Sequence, residues 1–134
     1  MGDAMSTGCS LTVRNGGVVV LSVVEEVDMA TAGAVRRALH DLLDERPDTL
    51  VLDLRRVAFF GSSGISALVG AAHRADRLGV RLVVATTRRG VLRALEITGA
   101  ADLVAVVASP EQAVASSVPE PRDGARIRFT QGVG

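Results

Sequence analysis

The sequence predicts an α/β fold: an N-terminal hairpin, then alternating helices and mostly parallel strands, with the helices packed on a single sheet. Three observations predict it. At 134 residues the chain can bury one ordinary hydrophobic core but not two. After the hairpin, segments of helical periodicity alternate with short apolar runs. Those runs are nearly continuous in apolar residues, which is typical of parallel strands covered by helices.

The first elements are two strands around a turn. Residues 11–14 alternate in polarity, residues 15–17 (Asn-Gly-Gly) tolerate the positive φ of a tight turn, and residues 18–24 form the returning strand. Asp28 is a suitable N-cap for the first helix, which ends before Pro47. The apolar positions of that helix recur at a helical period and predict its buried face: Val35, Ala38, Leu39 and Leu42.

A second strand-to-helix unit follows. Residues 50–54 form a short apolar strand interrupted only by Asp53, and the second helix begins within residues 61–64 (Gly-Ser-Ser-Gly). Gly79 stands where a C-cap is expected. The predicted buried face of this helix consists of Ile65, Leu68, Val69 and Ala72.

The same pattern occurs twice more. Residues 81–85 form a strand, Thr87 can cap a third helix, and Gly99 ends that helix after Thr98. Residues 103–107 form the last strand. Residues 109–112 (Ser-Pro-Glu-Gln) combine an N-cap serine, proline at the first helical position and a glutamine that completes a capping box.

These elements predict one domain over residues 10–116. Residues 1–9 are small and polar and predict a flexible leader. Residues 117–134 contain prolines and glycines that break any period, so they predict a disordered tail. Within the tail, residues 126–129 alternate in polarity and could instead add an edge strand or contact a partner.

Composition excludes several classes of function. Fifteen arginines balance fifteen acidic residues, and three phenylalanines are the only aromatic residues, so a general nucleic-acid binder is not expected. The longest apolar run, 18–24, is far short of the ~20 residues of a bilayer span, and no signal segment precedes it. A single cysteine, Cys9, suits reducing surroundings. The expected location is the cytoplasm, without direct insertion into a membrane.

Few residues are placed for catalysis or for metal binding. His40 and His73 lie on different predicted helices without neighbouring ligands, and no phosphate-binding loop of the common nucleotide folds is present. The sequence therefore predicts no metal, no cofactor and no enzymatic activity. The 61–65 turn misses the last glycine of the serine-hydrolase elbow, and no histidine follows His73 late in the chain. A small-ligand carrier or weak hydrolase with Ser63 as nucleophile is the remaining alternative of that class.

The turn at the start of the second helix is the strongest candidate site. Helix capping alone would explain its serines. However, small or basic residues also line up along the exposed side of the helix at its 3.6-residue period. A stripe of small residues with a mid-helix glycine is unlike an ordinary solvated face, so it indicates a surface approached closely by a partner. We call it the α2 stripe: Ser63, Ser66, Gly70, His73 and Arg77.

These residues resemble a known family. The matching features are VLDL at 51–54, Val57, FGSSGI at 60–65 and Leu68, preceded by Val27, Asp28 and a helix. They resemble the STAS domain of bacterial anti-sigma factor antagonists over about residues 10–116. The family usually reads D-S-[ST]-G at the turn, and the first serine is phosphorylated by a serine kinase that is also the anti-sigma factor. The resemblance implies Ser62 as acceptor, with Ser63 as the alternative and Asp28 as its acidic neighbour. Gly61 stands where the family has aspartate.

The resemblance also implies a mechanism. The unphosphorylated protein binds the anti-sigma factor and releases the sigma factor, phosphorylation breaks the complex, and a serine phosphatase restores it. A STAS module without the phosphorylation switch, either a constitutive antagonist or a subunit of a transporter or other complex, is the alternative. The expected partner-binding residues are Asp28, Gly61, Ser62, Ser63, Gly64, Ser66, Gly70, His73, Arg74 and Arg77.

Overall fold

The computed structural model describes residues 5–6, 10–24 and 26–115, and its elements follow the predicted order. The strands are β1 (Met5–Ser6), β2 (Ser10–Asn15), β3 (Val18–Val23), β4 (Thr49–Asp53), β5 (Arg81–Ala85) and β6 (Ala105–Val107). The helices are α1 (Met29–Asp44), α2 (Ser62–Leu78), α3 (Arg89–Thr98) and α4 (Pro110–Ala115), with a 3-10 turn over Ala100–Asp102. Within the described ranges, each helix is too short or too polar to span a lipid bilayer.

All six strands form one sheet in the order β1-β2-β3-β4-β5-β6. β1, β2 and β3 pair antiparallel, whereas β3, β4, β5 and β6 pair parallel. Because each parallel pair is joined through a helix, the strand order follows the chain order and the carboxyl ends of β3, β4 and β5 lie along one edge. The predicted α/β class is confirmed, and this edge carries the loops that lead into the helices.

The core lies mainly between the sheet and helices α1, α2 and α3. Alternate strand residues such as Leu21, Leu52 and Val84 are buried on this side, together with Leu39 and Leu68 of the helices. The opposite side of the sheet packs against α4 in a smaller cluster: Val18, Val51, Val83, Ala85, Ala105 and Ala113. Strands buried on both sides explain why their sequences are nearly continuous in apolar residues.

Two predicted helix ends are confirmed by their backbone conformation. Gly79 follows α2 with φ of 73°, and Gly99 follows α3 with φ of 83°. Both values lie in the left-handed region, which is costly for residues with a Cβ and open to glycine. The hairpin turn also uses glycine, because the Asn15 to Val18 pair leaves only Gly16 and Gly17 in the loop and Gly16 has φ of 66°.

The predicted cap of α3 is wrong. Arg88, and not Thr87, is the N-cap residue, and its side chain makes no capping hydrogen bond. The Thr86 hydroxyl instead accepts from the Arg88 N–H at 3.1 Å. Residues 86–88 lie outside any helix or strand, and Arg88 is extended (φ −75°, ψ 123°), so α3 begins only at Arg89.

The last predicted strand starts too early. Residues 100–102 form the 3-10 turn, and the Leu103 N–H donates to the Ala100 carbonyl at 2.9 Å, so the strand begins at Ala105. Pro110 is the first residue of α4, as predicted. The Gln112 side chain accepts from the Ala108 N–H at 2.8 Å, one residue before the expected cap serine.

The segment predicted as a leader contains β1, where Met5 and Ser6 pair with Thr12 and Leu11. An edge strand pairs through its backbone N–H and C=O groups and does not require particular side chains. A short segment of small polar residues can therefore form one without any signal in its sequence. Cys9 and the predicted 117–134 tail, including its 126–129 stretch, lie outside the described residues. The domain boundaries therefore stay a prediction.

Candidate functional site

The candidate site lies at the carboxyl edge of the parallel strands, where two loops meet. Val27 of the β3 to α1 loop forms a parallel bridge with Phe60 of the β4 to α2 loop. The Val27 N–H donates to the Phe59 carbonyl at 3.3 Å, and the Gly61 N–H donates to the Val27 carbonyl at 3.1 Å. These two hydrogen bonds place the start of α2 against the loop that also carries Asp28.

Ser62 is the first residue of α2, and its side chain is exposed. Gly61 is the N-cap in an extended conformation (φ −81°, ψ −176°), and no side chain caps the helix. Within the described residues, neither the Ser62 nor the half-buried Ser63 hydroxyl has a hydrogen-bond partner. Capping therefore does not account for the two serines, and the first N–H groups of α2 have no acceptor within the helix.

Asp28 has a structural role next to this turn. Its Oδ1 accepts from the N–H groups of Ala30 and Thr31 at 2.9 and 3.2 Å, which makes it the N-cap of α1. The Thr31 hydroxyl in turn accepts from the Asp28 N–H at 3.1 Å, completing a capping box. The carboxylate is thus fixed at the start of α1, one residue after the carbonyl that holds Gly61.

Phe59 is a surface residue beside the turn that no sequence pattern singled out, and its side chain is 57% exposed. Its ring lies over Gly61, and the Glu26 carboxylate accepts from its N–H at 2.6 Å. Met29, at the start of α1, is 83% exposed. Only the alternation with buried Phe60 could have indicated that Phe59 faces outward. The hydrogen bond between Glu26 and Phe59 joins residues 33 positions apart in the chain, so no local sequence pattern indicates it.

Gly64 is the one expected partner-binding residue that the structure buries. A Cβ there would lie 2.8 Å from Val27 Cγ1 and 2.9 Å from Phe60 Cε1. The glycine therefore serves packing: it lets the first turn of α2 approach the Val27 to Phe60 bridge. Because its Cα lies against Val27 and Phe60, Gly64 is not available on the surface for the partner contact that the family resemblance implied.

The α2 stripe is exposed along its length except for half-buried Ser63. A Cβ at Gly70 would meet nothing within 4 Å, so this part of the surface is open. The opposite side of the helix buries Ile65, Leu68 and Ala72, as predicted. Arg74 differs from the stripe residues, because its guanidinium donates to Asp44 of α1 at 2.6 Å and ties the two helices together.

Neither histidine forms a catalytic or metal-binding arrangement within the described part of the chain. His73 is exposed, whereas the Nε2 atom of His40 is buried without a hydrogen-bond partner. Burial and the neighbouring charges of Arg74 and Arg36 lower the pKa of His40. Among the residues that the structure describes, no three His, Cys, Asp or Glu side chains gather as a metal site.

Known proteins are similar to this chain in sequence. Residues 11–113 match the family model of the STAS domain. The anti-sigma-F factor antagonist RsfB of Mycobacterium tuberculosis is 35% identical over 89 residues, which cover 64% of this chain and 70% of the relative.

Solved structures are also similar. An anti-sigma factor antagonist from Mycobacterium paratuberculosis superposes with a TM-score of 0.74 at 26% identity, covering 84% of this chain and 98% of its own. The Bacillus cell fate determinant SpoIIAA in the phosphorylated form superposes with a TM-score of 0.62 at 15% identity, covering 79% of this chain and 96% of its own. At that identity the second likeness concerns the fold alone.

Proposed function

The chain belongs to the STAS domain family, and on that premise we propose that it is an anti-sigma factor antagonist switched by phosphorylation of Ser62. In its unmodified form it binds a serine-kinase anti-sigma factor through the Ser62 turn and the α2 stripe, and a sigma factor is released. The protein acts by binding and has no catalytic activity of its own. The name of the mycobacterial relative supports the antagonist role. Such a role belongs to the cytoplasm, where sigma factors act.

The observation that carries the proposal is the exposed Ser62 hydroxyl, which makes no hydrogen bond to any described residue. A kinase can reach this oxygen without breaking a cap. In the transfer, Ser62 Oγ forms a bond to the γ-phosphorus of ATP, the bond to the ADP oxygen breaks, and the hydroxyl proton passes to a base of the kinase. Free N–H groups and the helix dipole at the start of α2 favour the added charge in the isolated domain.

In the complex the same phosphate is unfavourable. It carries about 1.5 to 2 negative charges and must lose water where the partner covers the turn. Asp28 is fixed on the adjoining loop and adds repulsion. A hundredfold loss of affinity requires only ~2.7 kcal/mol, which desolvation and repulsion can supply together.

The experiment begins with recovery of the anti-sigma factor from cytoplasm of the source organism on the immobilised protein. The recovered kinase is then incubated with ATP and with the parent, Ser62→Ala or Ser63→Ala chain, and phosphopeptides are identified by mass spectrometry. We expect phosphate on Ser62 in the parent and in Ser63→Ala, and none in Ser62→Ala. Phosphate confined to Ser63, or recovery of no anti-sigma factor, would contradict the proposal. A serine phosphatase should restore binding by the phosphorylated parent.

A second candidate is a STAS module that binds its partner constitutively. Gly61 favours it, because the carboxylate that usually precedes the acceptor in this family is absent. The same experiment separates the two candidates. Stable binding of the anti-sigma factor with no phosphate incorporated would favour the constitutive module, and repeated recovery of transporter subunits would favour a subunit role.

A further inference from the structure

Two neighbouring segments of the sheet edge concentrate positive charge. Residues 54–61 and 86–93 contain five arginines and no aspartate or glutamate, although the whole chain has zero net charge. All five side chains are exposed. We call them the basic surface: Arg55, Arg56, Arg88, Arg89 and Arg93.

The two segments lie against each other at the edge of the sheet. The Nε of Arg88 donates to the Arg55 carbonyl at 3.3 Å, which joins the β5 to α3 loop to the β4 to α2 loop. Gly90, in the first turn of α3, lies so close to the Ala58 carbonyl that a Cβ there would be 3.3 Å from its oxygen. The fold therefore holds the two arginine-bearing segments next to each other.

Most of this charge is not neutralised within the described part of the chain. Arg55 pairs with Asp53 at 2.9 Å, but no ion pair involves Arg56, Arg88, Arg89 or Arg93 among the described residues. Arg88 and Arg89 also stand at the N-terminus of α3, whose first turn has no acidic residue. Cations at this end oppose the helix dipole. Helix stability therefore does not explain an arginine at position 89.

The basic surface adjoins the candidate site. The β4 to α2 loop carries Arg55 and Arg56 near its start and leads through Phe59 into Ser62 at its end. On the other side of that turn, the β3 to α1 loop holds the carboxylates of Glu26 and Asp28. Since the strands lie in the order β3-β4-β5, the edge runs from an acidic loop, past the Ser62 turn, to the basic surface.

We propose that the basic surface binds an acidic surface of the anti-sigma factor and so orients that partner over the Ser62 turn. This inference rests on the proposed function. A guanidinium presents a fork of donors that matches a carboxylate, and clustered charge steers a complementary partner during association. Nucleic acid is the other polyanion that arginines can bind. It is disfavoured because the chain is neutral overall and almost free of aromatic residues.

The test measures association of the recovered anti-sigma factor with single charge reversals by stopped-flow or surface plasmon resonance. Arg56→Glu and Arg89→Glu alter the basic surface, and Arg46→Glu is the matched control. Arg46 is exposed and follows α1 at the opposite edge of the sheet. At low salt we expect the first two to associate at least fivefold more slowly than the parent and the control to stay within twofold. The difference should shrink as salt rises, because exposed charges are screened over about 8 Å at 0.15 M.

A loss of folding stability can be distinguished from a loss of association. Glutamate at position 89 suits the start of α3, so Arg89→Glu should melt no lower than the parent while binding more slowly. If the parent itself binds no anti-sigma factor, both the proposed function and this inference are overturned. If the parent binds and the reversals match it, or if Arg46→Glu slows association equally, only this inference is overturned. This inference is also overturned if Arg56→Glu and Arg89→Glu weaken binding to duplex DNA but leave association with the anti-sigma factor unchanged.

Discussion

The ring of Phe59 covers Gly61, so closely that a Cβ at position 61 would lie 2.9 Å from its Cε2 and 3.0 Å from its Cζ. The usual aspartate of the family therefore cannot be added here without moving an exposed aromatic ring. A side chain at position 61 and the Phe59 ring thus compete for the same space at the start of α2.

This contact governs the outcome of Gly61→Asp. The new carboxylate supplies the charge expected beside the acceptor and can cap α2, so we expect faster phosphorylation of Ser62. The ring must swing aside to admit it. Phosphorylation rates should therefore be compared in the parent and in a Phe59→Ala background, where no displacement is needed. An unchanged or slower rate in both backgrounds would contradict a role for the lost carboxylate.

The orientation of α2 is tested by one buried and one exposed position. Leu68 is 1% exposed, so Leu68→Ala should lower the free energy of unfolding by ~2 to 5 kcal/mol. Ser66 is exposed, and Ser66→Ala should change it by less than about 0.5 kcal/mol. Urea denaturation measures both. Reversed effects would mean that the opposite side of the helix faces the sheet.

Two glycines of the same helix should respond oppositely to alanine. At Gly64 a methyl group would press on Val27 and Phe60, so Gly64→Ala should lower stability by ~1 to 3 kcal/mol. At Gly70 nothing lies within 4 Å, and Gly70→Ala should raise stability by up to ~1 kcal/mol through helix propensity. Thermal and urea melts of both variants give the comparison. Equal effects would show that Gly64 is not a packing residue.

Gly70 also tests the α2 stripe as a binding surface. Gly70→Arg meets open space, so the free domain should be no less stable than the parent. If a partner packs closely there, the bulky charge should weaken binding at least tenfold, or ~1.4 kcal/mol. Calorimetric titration with the anti-sigma factor beside a thermal melt measures both. Parent-like binding with parent-like stability would exclude the stripe from the interface.

His40 should make the domain sensitive to mild acid. Burial first, then Arg74 and Arg36, lower its pKa in the folded state from 6.5, against smaller opposing effects of Asp44 and Asp41. At pH values between the pKa of His40 in the folded state and 6.5, the unfolded chain binds more protons than the folded chain. The free energy of unfolding is therefore highest above pH 6.5 and declines as the pH falls below it. His40→Gln should reduce this decline in urea titrations from pH 7.5 to 5.5. An identical pH dependence in both chains would contradict the assignment.

Periodicity and glycine positions predicted most of the fold, because they reflect local geometry. Gly79 and Gly99 end their helices in conformations that other residues resist, and the alternation of elements is visible without tertiary contacts. The starts of α1 at Asp28 and of α4 at Pro110 also followed from the sequence, whereas the start of α3 did not. No serine side chain caps α2, and Thr87 does not cap α3. A side-chain cap depends on the direction in which the chain enters the helix, which local sequence does not specify.

The candidate site was predictable in part. The exposed face of α2 and the turn at Ser62 follow from spacing along one helix. The burial of Gly64 and the contact between Glu26 and Phe59 depend on loops that are about 33 positions or more apart in the chain. Only the folded arrangement brings those residues together, so no local pattern could indicate them.

The hydrogen bond from the Gly61 N–H to the Val27 carbonyl joins the entry points of α1 and α2. Its amide proton can exchange with deuterated solvent only when the two loops separate. Deuterium uptake at this backbone position therefore reports how often the start of α2 separates from the loop that carries Val27. Comparing the uptake of the free protein with its uptake in the presence of a binding partner would show whether that partner holds the two loops together.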